Sequence, residues 1–355
     1  MLMMLKLFWT ACLLLTHQAL SLVNGYDIES LVPALYVFGD SCVDAGNNNN
    51  LNTLAKANTF PYGIDFNNCS TGRFSNGKTF ADILAIKSGL PMPPPYLGVS
   101  EAERYQLATG INFASASCGI LNSTRNGECL SLDQQTEYFT STVKNDLPRI
   151  FKSKRKLRRY LSKSIYLVSI GSNDYILNYL NHAVVTNYQN FNPEEYADYL
   201  LEQLASSLKR IYDLGARKFV VVAIGPIGCI PGFIIRKPDS QDCNEDVNKK
   251  VMPFSDKLPG KMQELQTQLP GSLFITLDSF NIFQEIRNSP EKFGFTSISD
   301  SCVAQGAKPC GDRKQYYFYD FAHTTEAANE IYATECFNGT QVCFPLNIYQ
   351  LIREH

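Results

Sequence analysis

Short apolar runs recur along this sequence, and they constrain its fold more than any other feature. Three of the five are nearly continuous hydrophobic blocks rather than alternating patterns. Continuous blocks are typical of strands that are buried on both faces of a parallel sheet. We therefore predict buried strands at 35–38, 111–114, 165–170, 219–224 and 273–277.

Helical patterns lie between these runs, and the clearest is "FNPEEYADYLLEQLASSLKRIYDLGARK". Asn192 can cap this helix, Pro193 suits its first turn and Gly215 is suited to end it. An apolar stripe predicts one face packed on a sheet. Strands that alternate with helices predict an α/β fold with a mainly parallel sheet in one domain, because no linker divides the chain. The stripe consists of Tyr196, Leu200, Leu204, Leu208 and Ile211.

The N-terminus has the layout of a secretory signal peptide. Lys6 precedes a short apolar stretch at 7–15, and small residues follow up to Gly25. The apolar stretch is too short to span a bilayer, so we predict a cleaved leader at 1–25 and a secreted, extracellular (cell-wall or apoplastic) domain at 26–355. N-glycosylation acceptor motifs agree with this route. They lie at Asn68, Asn122 and Asn338.

The cysteines predict disulfide bridges rather than a metal site. One of the 11, Cys12, lies in the predicted leader, which leaves an even set. None of the spacings is typical of zinc, and an oxidising compartment favours disulfides. Cys42 and Cys69 remain, and a free thiol or a bridge is open for Cys42. The predicted local pairs are Cys118–Cys129, Cys229–Cys243, Cys302–Cys310 and Cys336–Cys343.

Charge and motifs exclude several classes of function. The formal net charge of -2 gives no general attraction to nucleic acid or anionic membranes. The basic segment at 151–164 could meet an acidic polysaccharide or a lipid surface, but a solvated helix face is the more common role and the one expected here. The sequence has no P-loop, no G-x-G-x-x-G and no H-E-x-x-H, so no cofactor and no metal are predicted.

Polar residues follow three of the predicted strands. Ser41 comes after the first, the small residues of "ASASCGI" come after the second, and Asn173 comes after the third. Ligands bind beyond the carboxyl ends of the strands in an open parallel sheet, so these loops should converge on one crevice. A hydroxyl, free backbone amides and a carboxamide supply a nucleophile and an oxyanion hole. This combination indicates ester cleavage.

A serine nucleophile needs a base, and the chain has few histidines. His323 follows Asp320 by three residues, a spacing that on a helical turn would let the carboxylate orient the imidazole toward Ser41. A capped helix start is the alternative for this pair. His182 lies in a polar stretch without a nearby carboxylate, and we interpret it as a surface residue.

Taken together, "FGDSCVDAGNNNN", "TGINFASASCGI", "SIGSNDY" and "YDFAHTTEAAN" resemble the GDSL esterase/lipase family of SGNH hydrolases, in its plant secreted branch. "TGRFSNGKTFADILA" and "VVVAIGPIGCIP" resemble further blocks of that branch. The resemblance implies a three-layer α/β/α sandwich of the SGNH, flavodoxin-like kind. It also implies Ser41 as nucleophile, His323 as base and Asp320 as its orienting residue. The oxyanion donors would be the Ser41 amide, an amide of the glycine block and the Asn173 side chain.

The sequence departs from the family pattern at two places. The block that is usually glycine-rich contains "ASASCG", so its amide donor could be Ala116 or Gly119. Thr324 follows the histidine where the family usually has proline, which would loosen the loop without removing a catalytic group. The asparagines at 47–50 are expected to form turns, and a substrate contact by Asn47 or Asn48 is the alternative.

We therefore predict a secreted serine esterase/lipase that hydrolyses carboxylic esters through an acyl-enzyme. Its ester substrate could be a small molecule, a lipid or an acylated cell-wall polymer. The chain shows no lid or membrane helix, so short or water-soluble acyl groups are expected. The alternatives are an acyltransferase with the same triad and a catalytically silent binding or defence protein. No nucleic-acid partner is expected, and the sequence does not predict an oligomeric state.

Overall fold

The structure is a computed structural model that describes residues 30–181, 187–235, 242–303 and 308–354. The predicted leader at 1–25 and His182 both lie outside the described residues. The strands are β1 (Leu35–Gly39), β2 (Ile165–Ser169), β3 (Lys218–Val222), β4 (Leu273–Leu277), β5 (Ser297–Ser301), β6 (Tyr316–Phe318) and β7 (Cys343–Phe344).

The α-helices flank these strands. They are α1 (Phe80–Lys87), α2 (Glu101–Arg104), α3 (Leu132–Ser141), α4 (Leu147–Ile150), α5 (Lys154–Lys163), α6 (Pro193–Asp213), α7 (Pro231–Ile234), α8 (Glu245–Gln268), α9 (Ser279–Asn288), α10 (Glu326–Asn338) and α11 (Ile348–Arg353). Two π-helical segments, Thr142–Asp146 and Asp174–Tyr179, accompany them.

The central sheet has the order β1-β2-β3-β4-β7, and its first four strands are parallel. The short strand β7 pairs antiparallel with β4 at one edge. Strands β5 and β6 form a separate two-stranded sheet. Four of the five predicted strands are confirmed with ends that differ by two residues or fewer, and the mainly parallel α/β fold is confirmed with them.

The predicted strand at 111–114 is not a regular strand. Its backbone runs beside β1, where the Phe113 amide bonds the Val37 carbonyl and only Asn112 forms a bridge with Val37. The next bridge is incomplete: the Ser115 amide bonds the Gly39 carbonyl at 3.0 Å, but the amide of Gly39 donates to the side chain of Gln135 at 2.8 Å instead of to this segment. The pattern of apolar residues does not reveal that a distant side chain accepts the hydrogen bond of one backbone amide.

Helices cover both faces of the sheet and complete three layers. Tyr36 and Phe38 point to one face, where they join a core that includes α6 and α8. Leu35 and Val37 point to the other face, where they join a core that includes α1, α9 and α10. The near-continuous hydrophobic strands are thus explained, because every side chain of β1 is buried.

Helix α6 begins and ends as predicted. Asn192 and Glu195 form a reciprocal capping box at its start, and Pro193 occupies the first turn. Gly215 follows the helix with a φ of +119°, a conformation that favours glycine. All residues of the predicted apolar stripe are buried, so this face packs on the sheet.

Within the described residues, four disulfides join cysteines that lie close in sequence, and the four predicted local pairs are confirmed. They are Cys118–Cys129, Cys229–Cys243, Cys302–Cys310 and Cys336–Cys343. Cys42 carries a free thiol.

Helix α5 holds the basic segment. Its charged side chains are exposed, whereas Tyr160 and Leu161 are buried against the body of the domain. This is the expected arrangement for a solvated helix face. Across the described part of the chain, no helix has both the length and the apolar character that a membrane span requires.

Candidate active site

The carboxyl ends of β1, β2 and β3 meet at one edge of the sheet, where their loops line a crevice. Gly39, the last residue of β1, allows a close approach: a Cβ there would lie 2.5 Å from the Ser169 carbonyl oxygen of β2. The side chain of Gln135 bonds both the amide and the carbonyl of Gly39, at 2.8 and 2.9 Å. The strand end that precedes Ser41 is therefore fixed on both sides.

Ser41 and His323 are in hydrogen-bond contact although 282 residues separate them in sequence. The distance from Ser41 Oγ to His323 Nε2 is 2.7 Å. On the other side of the ring, His323 Nδ1 lies 2.8 Å from Asp320 Oδ2. The structure thus brings together the three side chains that the sequence analysis selected, in the order hydroxyl, imidazole, carboxylate. This is the arrangement that activates a serine for nucleophilic attack.

Asp320 and His323 do not lie on a helical turn, so that part of the prediction is wrong. Helix α10 begins only at Glu326, after a bend. The turn forms instead because Asp320 Oδ1 accepts the amides of Ala322 and His323, both at 2.8 Å. An aspartate that bonds backbone two and three residues ahead closes such a turn locally. The same carboxylate therefore shapes the loop and holds the imidazole.

The two charged groups change each other's pKa. Burial alone would raise the pKa of Asp320, but the charge and the hydrogen bonds of His323 outweigh burial and hold this pKa below its usual value. For His323, burial alone would lower the pKa, yet the Asp320 carboxylate raises it above 6.5 and Asp40 adds to the effect. Burial raises the pKa of Asp40 itself to about 6.

The crevice beside Ser41 holds a cavity of about 190 Å³. Ser41, Asn173 and His323 lie in its wall together with apolar side chains from the loops after β2 and β3. Small polar groups in an otherwise apolar cavity are typical of ligand sites. Its apolar wall on this side is formed by Ile176, Val222, Pro226, Ile227 and Ile230.

Of the predicted oxyanion donors, Asn173 lies at the crevice and Ala116 does not face it. Asn173 Nδ2 donates one hydrogen bond to the Cys118 carbonyl at 2.9 Å, and its second N–H is left for a ligand. The Ala116 amide donates to Asp44 and Asn48, at 3.1 and 3.0 Å. Ala116 is therefore corrected: its amide is already occupied and does not serve an oxyanion. Gly119 does not line the cavity either, but its amide donates no hydrogen bond within the described residues, so it remains the candidate of that block.

The asparagine run is structural. Asn47 and Asn48 are buried. The side-chain amide of Asn47 donates to two carbonyls of the segment beside β1, and that of Asn48 donates to the carbonyls of residues 55 and 116. Their side chains therefore fix the loop after Ser41 to the chain around Ala114 and Ala116. The alternative of a direct substrate contact has no support in this geometry.

The segment 62–76 contributes residues that the sequence analysis missed. Tyr62 donates from its hydroxyl to Asp320 Oδ2 at 2.7 Å, the same oxygen that lies 2.8 Å from His323 Nδ1. Ser75 bonds the Thr324 carbonyl at 3.0 Å, and Asn76 accepts the Glu326 amide at 2.8 Å. The resemblance drew attention to the block at 71–85 without giving it a role, and its role here is to hold the histidine loop.

The threonine at 324 does not loosen that loop. Thr324 forms an antiparallel bridge with Phe318 of β6, and its hydroxyl donates to Asn329 at 2.7 Å. Together with Ser75, these contacts replace the rigidity that a proline would supply.

Two further sets of predicted residues concern modification and metals. Asn68, Asn122 and Asn338 are all exposed, as an attached glycan requires, and their glycosylation stays a prediction. Within the described ranges, no group of three or more metal-ligating side chains is found.

Comparison with known proteins shows the family of this chain. A family model described as GDSL-like lipase/acylhydrolase matches residues 35–335. The chain is similar to GDSL esterase/lipase 7 of Arabidopsis thaliana, with 39% identity over 96% of this chain and 98% of the relative. Two other GDSL esterase/lipases of the same plant share 39% and 35% identity, over 91% and 97% of this chain and over 86% and 97% of their own lengths.

Proposed function

Because this chain belongs to the family of GDSL-like lipases and acylhydrolases and is a carboxylic ester hydrolase, we propose that Ser41, His323 and Asp320 carry out its reaction. The observation that carries the proposal is the continuous hydrogen-bonded line from Ser41 Oγ through the imidazole to Asp320, at 2.7 and 2.8 Å. This line ends in the crevice at the carboxyl edge of the sheet, where a substrate can reach the hydroxyl.

In the first step, His323 Nε2 takes the proton of Ser41 while Oγ attacks the ester carbonyl carbon. Asp320 accepts a hydrogen bond from the Nδ1–H group and stabilises the imidazolium that forms, without becoming protonated itself. Tyr62 donates to the same oxygen, Oδ2, while the amides of Ala322 and His323 donate to Oδ1, so the carboxylate is held against the ring. His323 then gives its proton to the leaving alcohol, and an ester of Ser41 remains.

The negative oxygen of the tetrahedral intermediate needs hydrogen-bond donors close to Ser41. The Ser41 amide, the Gly119 amide and the free N–H of Asn173 are the proposed donors. Water then enters in place of the alcohol, His323 takes its proton, and the same donors stabilise the second intermediate. The acid product leaves and Ser41 regains its proton.

The rate should depend on pH through His323. Only the neutral imidazole can take the proton of Ser41, and the Asp320 charge raises its pKa above 6.5. We therefore expect kcat/KM to fall as the pH is lowered, with a midpoint above 6.5. In Asp320→Asn the charge that raises this pKa is lost, so the midpoint should move to lower pH while the rate falls. A pH profile of both proteins measures this, and an identical midpoint in the two would contradict the pairing.

We propose secretion as the location, with residues 1–25 as the leader and 26–355 as the functional domain. Four disulfides support an oxidising compartment, because cytosolic proteins rarely keep them. The exposed acceptor asparagines agree with the same route.

For the substrate, we propose esters with short or water-soluble acyl groups. Supporting this, the cavity of about 190 Å³ is small and largely apolar near Ser41. A series of p-nitrophenyl esters with increasing acyl length tests it, and kcat/KM should be highest for the short members. A clear preference for long chains would contradict the proposal.

Product analysis with an added alcohol separates hydrolysis from acyl transfer, and no turnover of any ester would favour a silent binding protein.

A further inference from the structure

Asp174 is a buried carboxylate directly after Asn173, and the reaction above gives it no task. Its side chain is fully buried and accepts three hydrogen bonds from one loop. Asp174 Oδ2 accepts the Ile120 amide at 2.8 Å. Its Oδ1 accepts the Leu121 amide at 3.1 Å and the Thr124 hydroxyl at 2.6 Å. The carboxylate therefore binds the segment that follows the proposed donor Gly119.

Gly119 is packed directly against this carboxylate. A Cβ at position 119 would lie 2.4 Å from Asp174 Oδ2, so no other residue fits without displacing one of the two. The glycine is required here by close approach and not by an unusual φ. The spacing of Gly119 from the β2 loop is thus set by Asp174.

A second link joins the same two loops. The Asn173 side chain donates to the Cys118 carbonyl at 2.9 Å, one residue before Gly119. Behind them, Tyr196 of α6 donates its hydroxyl to the Asp174 carbonyl at 2.9 Å. A π-helical segment begins at Asp174, a feature that is frequent at functional sites. The adjacent side chains of Asn173 and Asp174 thus connect the two loops that supply the proposed oxyanion donors.

The free-energy cost of burying the Asp174 carboxylate indicates that its hydrogen bonds serve a function. Asp174 forms no ion pair in the described part of the chain, and it faces two amides and a hydroxyl instead. Burial raises its pKa to about 6, against the effect of those three donors. Burying a carboxylate without a cation costs free energy, because desolvation disfavours its charged form.

We propose that Asp174 is a positioning residue of the oxyanion hole: it fixes the Gly119 amide relative to the Asn173 side chain. This inference rests on the proposed function, because it needs both groups as donors. The carboxylate does not touch the substrate. It acts by keeping two donors from separate loops at the spacing that a single oxygen requires.

The test is the kinetics of Asp174→Asn, which keeps the shape but replaces one acceptor oxygen with a donor that faces other donors. We expect kcat to fall roughly tenfold to a hundredfold, the effect of a misplaced group, with KM changed little. The matched control is Asp146→Asn, another buried aspartate that lies in the other π-helical segment, before α4. This control should keep the kcat of the wild type.

A double-mutant cycle separates positioning from general structure. Asn173→Ala alone should lower kcat by about 10²–10³-fold. If Asp174 acts through the oxyanion hole, the double variant loses less than the product of the two single effects. Multiplicative losses, or a loss in Asp174→Asn that appears in KM instead of kcat, would overturn the inference.

Failure of the inference and failure of the proposed function give different results. If Asn173→Ala keeps its kcat, the proposed oxyanion hole is wrong whatever Asp174 does. If Asn173→Ala is impaired and folded Asp174→Asn is not, only the positioning role is wrong. Should Asp174→Asn not fold, Gly119→Ala tests the same contact from the other side. It should lower kcat with KM kept, and an unchanged kcat in that folded variant would overturn the inference.

Discussion

Ser41→Ala is expected to lose turnover by about 10⁵-fold or more, because no other group supplies the attacking oxygen. The residual rate would come from substrate binding and the oxyanion donors acting on water. KM should change little, since the hydroxyl contributes almost nothing to ground-state binding. Initial rates on a short p-nitrophenyl ester measure the loss.

The same variant should remain folded. Ser41 lies half-buried at the crevice, and the hydrogen bond that it loses is the one to His323. A single such bond contributes about 1 kcal/mol to the free energy of unfolding, so thermal unfolding should shift by only a few degrees. Ser206→Ala, an exposed serine of α6, is the matched control and should keep full turnover. Turnover above about a hundredth of wild type in folded Ser41→Ala would contradict the assignment.

His323→Ala should be about as damaging as Ser41→Ala, because the serine proton then has no acceptor. The two losses should not multiply, since either change disables the same step. The double variant should therefore have nearly the same kcat as each single variant. Asp320→Asn should lose less than either, because the imidazole stays in place and keeps part of its basicity.

His182→Ala is the control for this prediction, since the sequence analysis assigns that histidine to the surface. It should turn over ester at the rate of the wild type. If His182→Ala were inactive and His323→Ala active, the base would be misassigned. A double variant of Ser41 and His323 that loses the product of both single effects would contradict their common step.

Much of the fold could be predicted because its signals are local. Hydrophobic blocks without alternation reveal strands that are buried on both faces, as the fully buried β1 illustrates. The ends of α6 were also predictable, since Asn192 and Gly215 act on their own neighbours. Short sequence separations explain why the four disulfides were found as well. For the disulfides, the paired cysteines are at most 14 residues apart in sequence.

The failures concern contacts between distant segments. The strand expected at 111–114 is incomplete because Gln135 captures the amide of Gly39. Ala116 is not free because Asp44 and Asn48 accept its amide. Neither competitor is marked in the sequence, since a glutamine or an asparagine has the same pattern whether it is exposed or bonded to a backbone group far away.

The same distinction between local signals and contacts with distant segments applies to the candidate site. Ser41, His323 and Asp320 could be selected because few histidines are available and because their blocks resemble a known family. Tyr62 could not, since a tyrosine 258 residues from Asp320 carries no local sign of that contact. Asp174 carries one local signal: it is an acidic residue immediately after a proposed donor, Asn173.

The most direct test of the account is covalent labelling by a small organophosphonate that reacts with activated serines. The folded wild type should be labelled on the peptide that contains Ser41, identified by mass spectrometry, with simultaneous loss of esterase activity. His323→Ala should be labelled far more slowly, because its serine is no longer activated. Labelling of a different residue, or no label on Ser41 in protein that hydrolyses esters, would contradict the assignment of Ser41 as the nucleophile.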